Sequence, residues 1–184
     1  MPERILKQTA KGILTMTQEN VQNWSVETWT VYKFKLESAF IDMNPIGQRL
    51  ETNSNAIGES KPSKQQSIID SMLRGSDIGE IKIVRTRYAT YPNESVDGGH
   101  RKRAILSFIN NKFPTHKTSP VGEKFYREFT DAEREQFMNY QIRFVIFDFL
   151  TNRQKGELFR DTNNTTPVNQ QETLNSYVIC LSPI

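Results

Sequence analysis

Cysteine is almost missing from this chain: Cys180 stands alone, so no internal disulfide can form. Histidine is nearly as scarce, and His100 and His116 with one cysteine are too few for a zinc cluster. No apolar run approaches the roughly 18 residues a membrane-crossing helix requires. The opening MPERILKQTAKG is not followed by the continuous apolar stretch of a secretory signal. Low-complexity tracts and internal repeats are absent too. The expectation is a soluble, cytoplasmic protein in a reducing compartment, with no membrane partner.

What the chain does have is enough length, 184 residues, for one substantial hydrophobic core. Residues 1–43 read as an amino-terminal segment supporting that core and 44–184 as the main region, the two forming one domain. A formal charge of +3 and a pI near 9.0 are compatible with nucleic acid but are too modest to require it.

Apolar spacing predicts alternating helices and strands. Trp29, Tyr32, Leu36 and Phe40 recur near helical turns, which favours a helix over 25–42 with its aromatic residues as core anchors; the alternation in TWTVYKFKL also permits a strand. ETNSNAIGESKPSKQQ reads as a loop. A short helix is expected from Ser63 or Lys64, with Ile68, Ile69, Met72 and Leu73 inward and Gly75 ending it in a positive φ. IKIVRTRYA then reads as a strand. In SVDGGHRKRAILSFINNKF, Val96 ends a strand, Gly98 and Gly99 turn, and Ala104, Ile105, Phe108 and Ile109 face inward on a helix whose basic start faces outward. PTHKTSPVGEK is a loop, a helix follows Thr130, and QIRFVIFDFL is an apolar strand suited to the middle of a sheet. Residues 152–160 form a short helix, and LNSYVICLSPI keeps apolar periodicity to the last residue given.

The segment with the most chemical content is DGGHR. A glycine turn entering a helix brings peptide N–H donors together, which makes a cradle for an anion. Arg101 adds a guanidinium suited to two-point contact with phosphate, and Lys102 and Arg103 raise the local potential. His100 can donate to phosphate or transfer a proton, its ordinary pKa being about 6.5. Asp97 can orient that ring, polarise a water, or hold a magnesium ion through oxygen. The structural alternative has equal standing: Asp97 caps the helix, the glycines turn the chain, and His100 and Arg101 make structural bonds. Neither the GxxxxGK phosphate loop nor the GxGxxG dinucleotide turn is present.

In its ordered motifs the chain resembles the ParB-like and sulfiredoxin-like superfamily, in particular the amino-terminal domain of GmrSD-type modification-dependent restriction proteins. DGGHR is similar to that family's DGHHR or DGQQR turn. NPIGQRL resembles its P-x-x-Q-R segment, without the usual nearby tryptophan, and FRDTNNTTPVNQQE resembles its F-x-x-x-N and T-P-L-N segments with Val168 in place of leucine. The resemblance runs from about Asn44 to Glu172. It implies a compact α+β fold, a mixed sheet with flanking helices. It also implies a phosphate site assembled from Gln48, Arg49, Gly98, Gly99, Arg101 and Asn163, with Asp97, His100 and Arg101 as catalytic candidates and Asp97 as the metal ligand. Pro167, Asn169 and Glu172 would organise the downstream turn.

Two functions follow as expectations. One is binding, with magnesium-dependent hydrolysis, of a nucleoside triphosphate in the setting of DNA restriction or phage defence. The other is binding or metal-dependent cleavage of DNA, with Arg85, Arg87, Lys102 and Arg103 extending the positive surface. A restriction effector or a second copy of the chain is the expected protein partner. No HNH nuclease motif is recognisable, and Cys180 lies far in sequence from the turn that sulfiredoxin chemistry would use.

Overall fold

The computed structural model describes residues 23–42, 60–87 and 91–163. The strand β1 (Trp24–Thr30) runs directly into α1 (Val31–Glu37), followed by a 3-10 turn (Ser38–Phe40) and the two-residue β2 (Ile41–Asp42). Then come α2 (Lys64–Leu73), β3 (Ile81–Arg85), β4 (Asn93–Asp97) and α3 (Gly99–Ile109). A second 3-10 turn (Tyr126–Glu128), α4 (Asp131–Asn139), β5 (Gln141–Phe147) and α5 (Asn152–Asn163) complete the order.

Among the described residues the strands form one mixed sheet in the order β1-β5-β3-β4-β2. Pairs β1/β5 and β3/β4 are antiparallel, whereas β3/β5 and β2/β4 are parallel. The fold is therefore α+β, with helices flanking a mixed sheet. Side chains alternate across the strands, so each face carries its own apolar set. Trp29, Ile81, Ile83, Ile142, Phe144 and Ile146 join the larger core, with Phe34, Ile69, Met72, Phe108 and Phe137 from the helices. On the opposite face Val84, Val96, Val145 and Phe147 pack with Leu158 and Phe159 of α5.

Local chemistry sets several boundaries where the sequence put them. Ser63 starts α2 through a reciprocal capping box with Gln66, and Thr130 starts α4 in the same way with Glu133. Gly75 follows α2 at φ +72°. The helix expected over 25–42 is corrected: residues 24–30 are a strand paired to β5 from Trp24↔Phe147 to Thr30↔Gln141. Helix begins only at Val31, where the Thr30 hydroxyl accepts from the Lys33 N–H. The aromatic anchors are corrected with it. Trp29 is buried and stacks on Phe144 at 4.2 Å, but Trp24, Tyr32, Leu36 and Phe40 are exposed. The apolar spacing that looked like one helix is the sum of two short elements with different periods.

Candidate functional site

The DGGHR turn sits where β4 meets α3. Asp97 is the last residue of β4, one beyond the expected end at Val96. The β3/β4 register shifts between Lys82 and Ile83, so Asp97 lies opposite Lys82 while Ser95 lies opposite Ile83. Cross-strand partners share a face, and the bulge thus turns Asp97 towards the Lys82 side of the sheet.

Gly98, not Asp97, is the N-cap of α3, at φ +82° and ψ +17°. No side-chain oxygen of the cap residue closes the first turn. The first amides of any helix lack intrahelical acceptors, and the axis dipole makes that end positive. The first intrahelical bond runs from the Lys102 N–H to the Gly98 carbonyl at 3.0 Å.

Three basic side chains gather at this end, because helical side chains lean back towards the N-terminus. The Arg101 guanidinium donates from Nη1 to the Glu80 carbonyl at 3.0 Å and stands 4.0 Å from the Asp97 carboxylate. It packs against Gly79, where a Cβ would come within 3.1 Å of Nη2. Arg103 folds back over Gly99 in the same manner, its guanidinium 3.1 Å from where a Cβ would stand. Glu80 also meets Lys82 and Arg143, each at 3.5 Å, so its carboxylate is shared between two cations beside the turn.

Lys102 departs from the expected outward-facing basic start. It is 1% exposed, and among the described residues its Nζ has no hydrogen-bond partner. Burial pushes its amine down to about 7; the Asp97 and Asp42 carboxylates oppose that shift, and the Arg103 and Arg101 guanidiniums add to it. A signal for this was present in the sequence. Lys102 stands three and seven residues before Ile105 and Ile109, on the stripe that faces inward.

The charge has a consequence for stability. Below pH 7 the folded and unfolded chains both carry the proton, and the cost of the buried ammonium is fully present. Between 7 and the ordinary 10.5 the folded chain sheds the proton first, so stability rises with pH. Lys102→Met, which keeps the stem volume, is expected to raise unfolding free energy by about 2 kcal/mol at pH 6, in the range found when buried charges are replaced by apolar groups. The gain should shrink as pH rises to 9.5. Urea melts across that range would reject the burial if the variant were destabilised or its gain were flat with pH.

No family model and no curated protein matches the chain. A solved Pnob8-like ParB-N domain aligns at 12% identity with a TM-score of 0.43. That alignment spans 88% of this chain and 46% of that one, so this chain covers less than half of the other protein's length. The fold class stands on strand order and register, independent of that likeness.

Of the residues expected to share one site, Asp97, Gly98, Gly99, His100 and Arg101 are brought together at the turn. Gln48 and Arg49 lie outside the described residues, as do Pro167, Asn169 and Glu172, and Asn163 is placed only as the last residue of α5. Arg85 closes β3 at the strand end away from the turn, paired with Asp148 at 2.9 Å. Arg87 lies over the Phe149 ring at 5.4 Å. These two form a patch of their own, about a strand length of 13 Å from the turn. The other histidine, His116, is buried in the loop that follows α3, with Nδ1 2.8 Å from the Thr118 hydroxyl. Glu80, Lys82 and Arg143 were missed because charged residues alternating with apolar ones read as an ordinary solvent face.

Magnesium was expected at Asp97. Among the described residues no group of three or more His, Cys, Asp or Glu side chains could hold a metal ion. Magnesium is commonly held by one or two carboxylates together with phosphate oxygens, so Asp97 stays an expectation, and no step is assigned to a metal. No described helix is long and apolar enough to cross a membrane.

Proposed function

We propose that the chain binds a nucleoside triphosphate by seating its phosphates on the N-terminus of α3. The observation that carries this reading is the combination of a glycine cap with no side-chain oxygen and two guanidiniums, Arg101 and Arg103, folded back to the same end. A helix start of that kind offers N–H donors and a positive field to phosphate oxygens. The DGGHR resemblance points the same way.

Arg101 is held by the Glu80 carbonyl and the Asp97 carboxylate. Phosphate oxygens are better acceptors for a guanidinium than a neutral carbonyl, so the ligand exchanges that contact for a charge-assisted one. Turnover would need a base beside the terminal phosphate, and Asp97 and His100 are the candidates by position. The link to restriction or defence, and an effector chain or second copy as partner, come with the resemblance alone.

The DNA-directed reading has less support. Of its four basic residues, Lys102 is buried and Arg85 is committed to Asp148. An extended phosphate-contacting surface needs several exposed cations along one track.

Arg101→Ala is expected to weaken triphosphate binding by about 10- to 100-fold, the loss of one charge-assisted hydrogen bond. Arg101→Lys should recover only part of it. Calorimetric titration with the common nucleoside triphosphates measures this, and a wild-type chain that binds none of them defeats the reading.

A further inference from the structure

Beneath the first turn of α3 lies a cation that the phosphate reading does not by itself use. Lys102 is enclosed, its Nζ lacks an acceptor among the described residues, and it belongs to the first turn, its N–H bonding the Gly98 carbonyl. The charged groups bearing on it come from three elements. Asp97 closes β4, Asp42 closes the parallel neighbour β2, and Arg101 and Arg103 stand on α3 itself. The other charged groups on elements packed against α3 are Lys82 on β3, with Glu80 just before it, Asp70 on α2, and Arg127 and Glu128 on the second 3-10 turn.

We infer that Lys102 is a proton-taking counter-charge for the polyphosphate: seating phosphate on the α3 N-terminus draws a proton onto the buried amine below it. This rests on the triphosphate reading and adds its regulation by pH. The enclosed ammonium and two guanidiniums set three positive charges against the two carboxylates of Asp97 and Asp42, so a protonated Lys102 leaves one charge unbalanced in a buried place. A polyphosphate on the α3 N-terminus adds the missing negative charge, and a buried amine feels it more strongly than an exposed one would. The amine, part neutral in the empty site near pH 7, is then held protonated. The proton comes from solvent and no bond to the ligand forms.

By linkage, affinity must fall as pH rises through the interval between the empty-site and occupied-site ionisations. The limit is about tenfold per pH unit. This window lies above the ordinary histidine range of about 6.5, which separates it from His100.

The test is calorimetry with adenosine, guanosine and cytidine triphosphates in EDTA from pH 7.5 to 9. Paired buffers of different ionisation enthalpy count the protons exchanged. Wild type should take up a proton on binding and weaken several-fold per pH unit. Lys102→Met should remain folded, bind more weakly at pH 7.5, and show neither uptake nor the pH slope. Binding without proton uptake, or a slope unchanged in Lys102→Met, overturns the inference and leaves the triphosphate reading intact. No binding at any pH by wild type overturns both. Carbon-13 labelling of lysine Cε gives a separate check: a Lys102 signal that still titrates near 10 in the empty protein refutes the counter-charge outright.

Discussion

Phe108→Ala is expected to lower unfolding free energy by about 3–5 kcal/mol, the range for truncating a fully enclosed phenylalanine. Phe108 has no exposed surface and lies at the meeting point of four other rings. Its centroid is 5.7 Å from Phe113, 5.9 Å from Tyr126, 5.4 Å from Phe129 and 5.4 Å from Phe137. Three of these pairs are edge-on, so the loss includes aromatic contacts worth roughly 0.5–1.5 kcal/mol each beyond area burial. The cavity would open between α3, the second 3-10 turn and α4, and the Glu128 and Thr130–Glu133 cap bonds hold the last two against inward collapse. In a domain of this size the melting temperature should fall by on the order of 10 °C. Leu36→Ala, on the exposed face of α1, should stay within about 0.5 kcal/mol. Equilibrium urea unfolding compares the two, and a Phe108→Ala loss below about 1 kcal/mol would mean the ring cluster is not a packed unit.

The same residues show what a sequence can reveal and what it hides. Ala104, Ile105, Phe108 and Ile109 were legible as an inward face because helical spacing is a local property of the chain. Ser63 and Thr130 were legible as helix starts for the same reason: cap and partner are three residues apart. Pairing of β1 with β5 was not legible, since Trp24 and Phe147 are more than a hundred positions apart and nothing local records their register. Without that pairing, the spacing of Trp29, Tyr32, Leu36 and Phe40 resembled a single helix over 25–42. Lys102 was misread for a different reason. Charge suggested solvent, whereas its position on the inward stripe decided its fate. At the site itself the turn, the glycines and the helix start were readable, yet the holding of Arg101 by Glu80 depends on the β3 entry loop packing beside α3. Only the folded chain supplies that contact.

The second large effect is expected at Gly98, where two independent constraints meet. Its φ of +82° is a left-handed conformation that costs an ordinary residue about 1–2 kcal/mol. A Cβ there would also stand 2.9 Å from Ile81 Cγ1 and 3.2 Å from Ile81 Cα. The second distance is to backbone, so relief requires β3 to move relative to the β4–α3 turn, and Ile81 is fully enclosed in the core. Gly98→Ala should therefore destabilise by about 3 kcal/mol or more, combining strain with overpacking. Gly122→Ala isolates the first term: φ is +72° there, but nothing lies within 4 Å of the added carbon, so its cost should be only the conformational 1–2 kcal/mol or so. Equal losses for the two variants would show that the approach of Ile81 does not constrain the turn. A larger loss at Gly98 has a functional corollary, because the residue that tolerates this approach also caps α3. Displacing it would misalign the first-turn amides and the Arg101 guanidinium together, and triphosphate affinity should fall in Gly98→Ala even at temperatures where the variant remains folded, while Gly122→Ala binds as wild type.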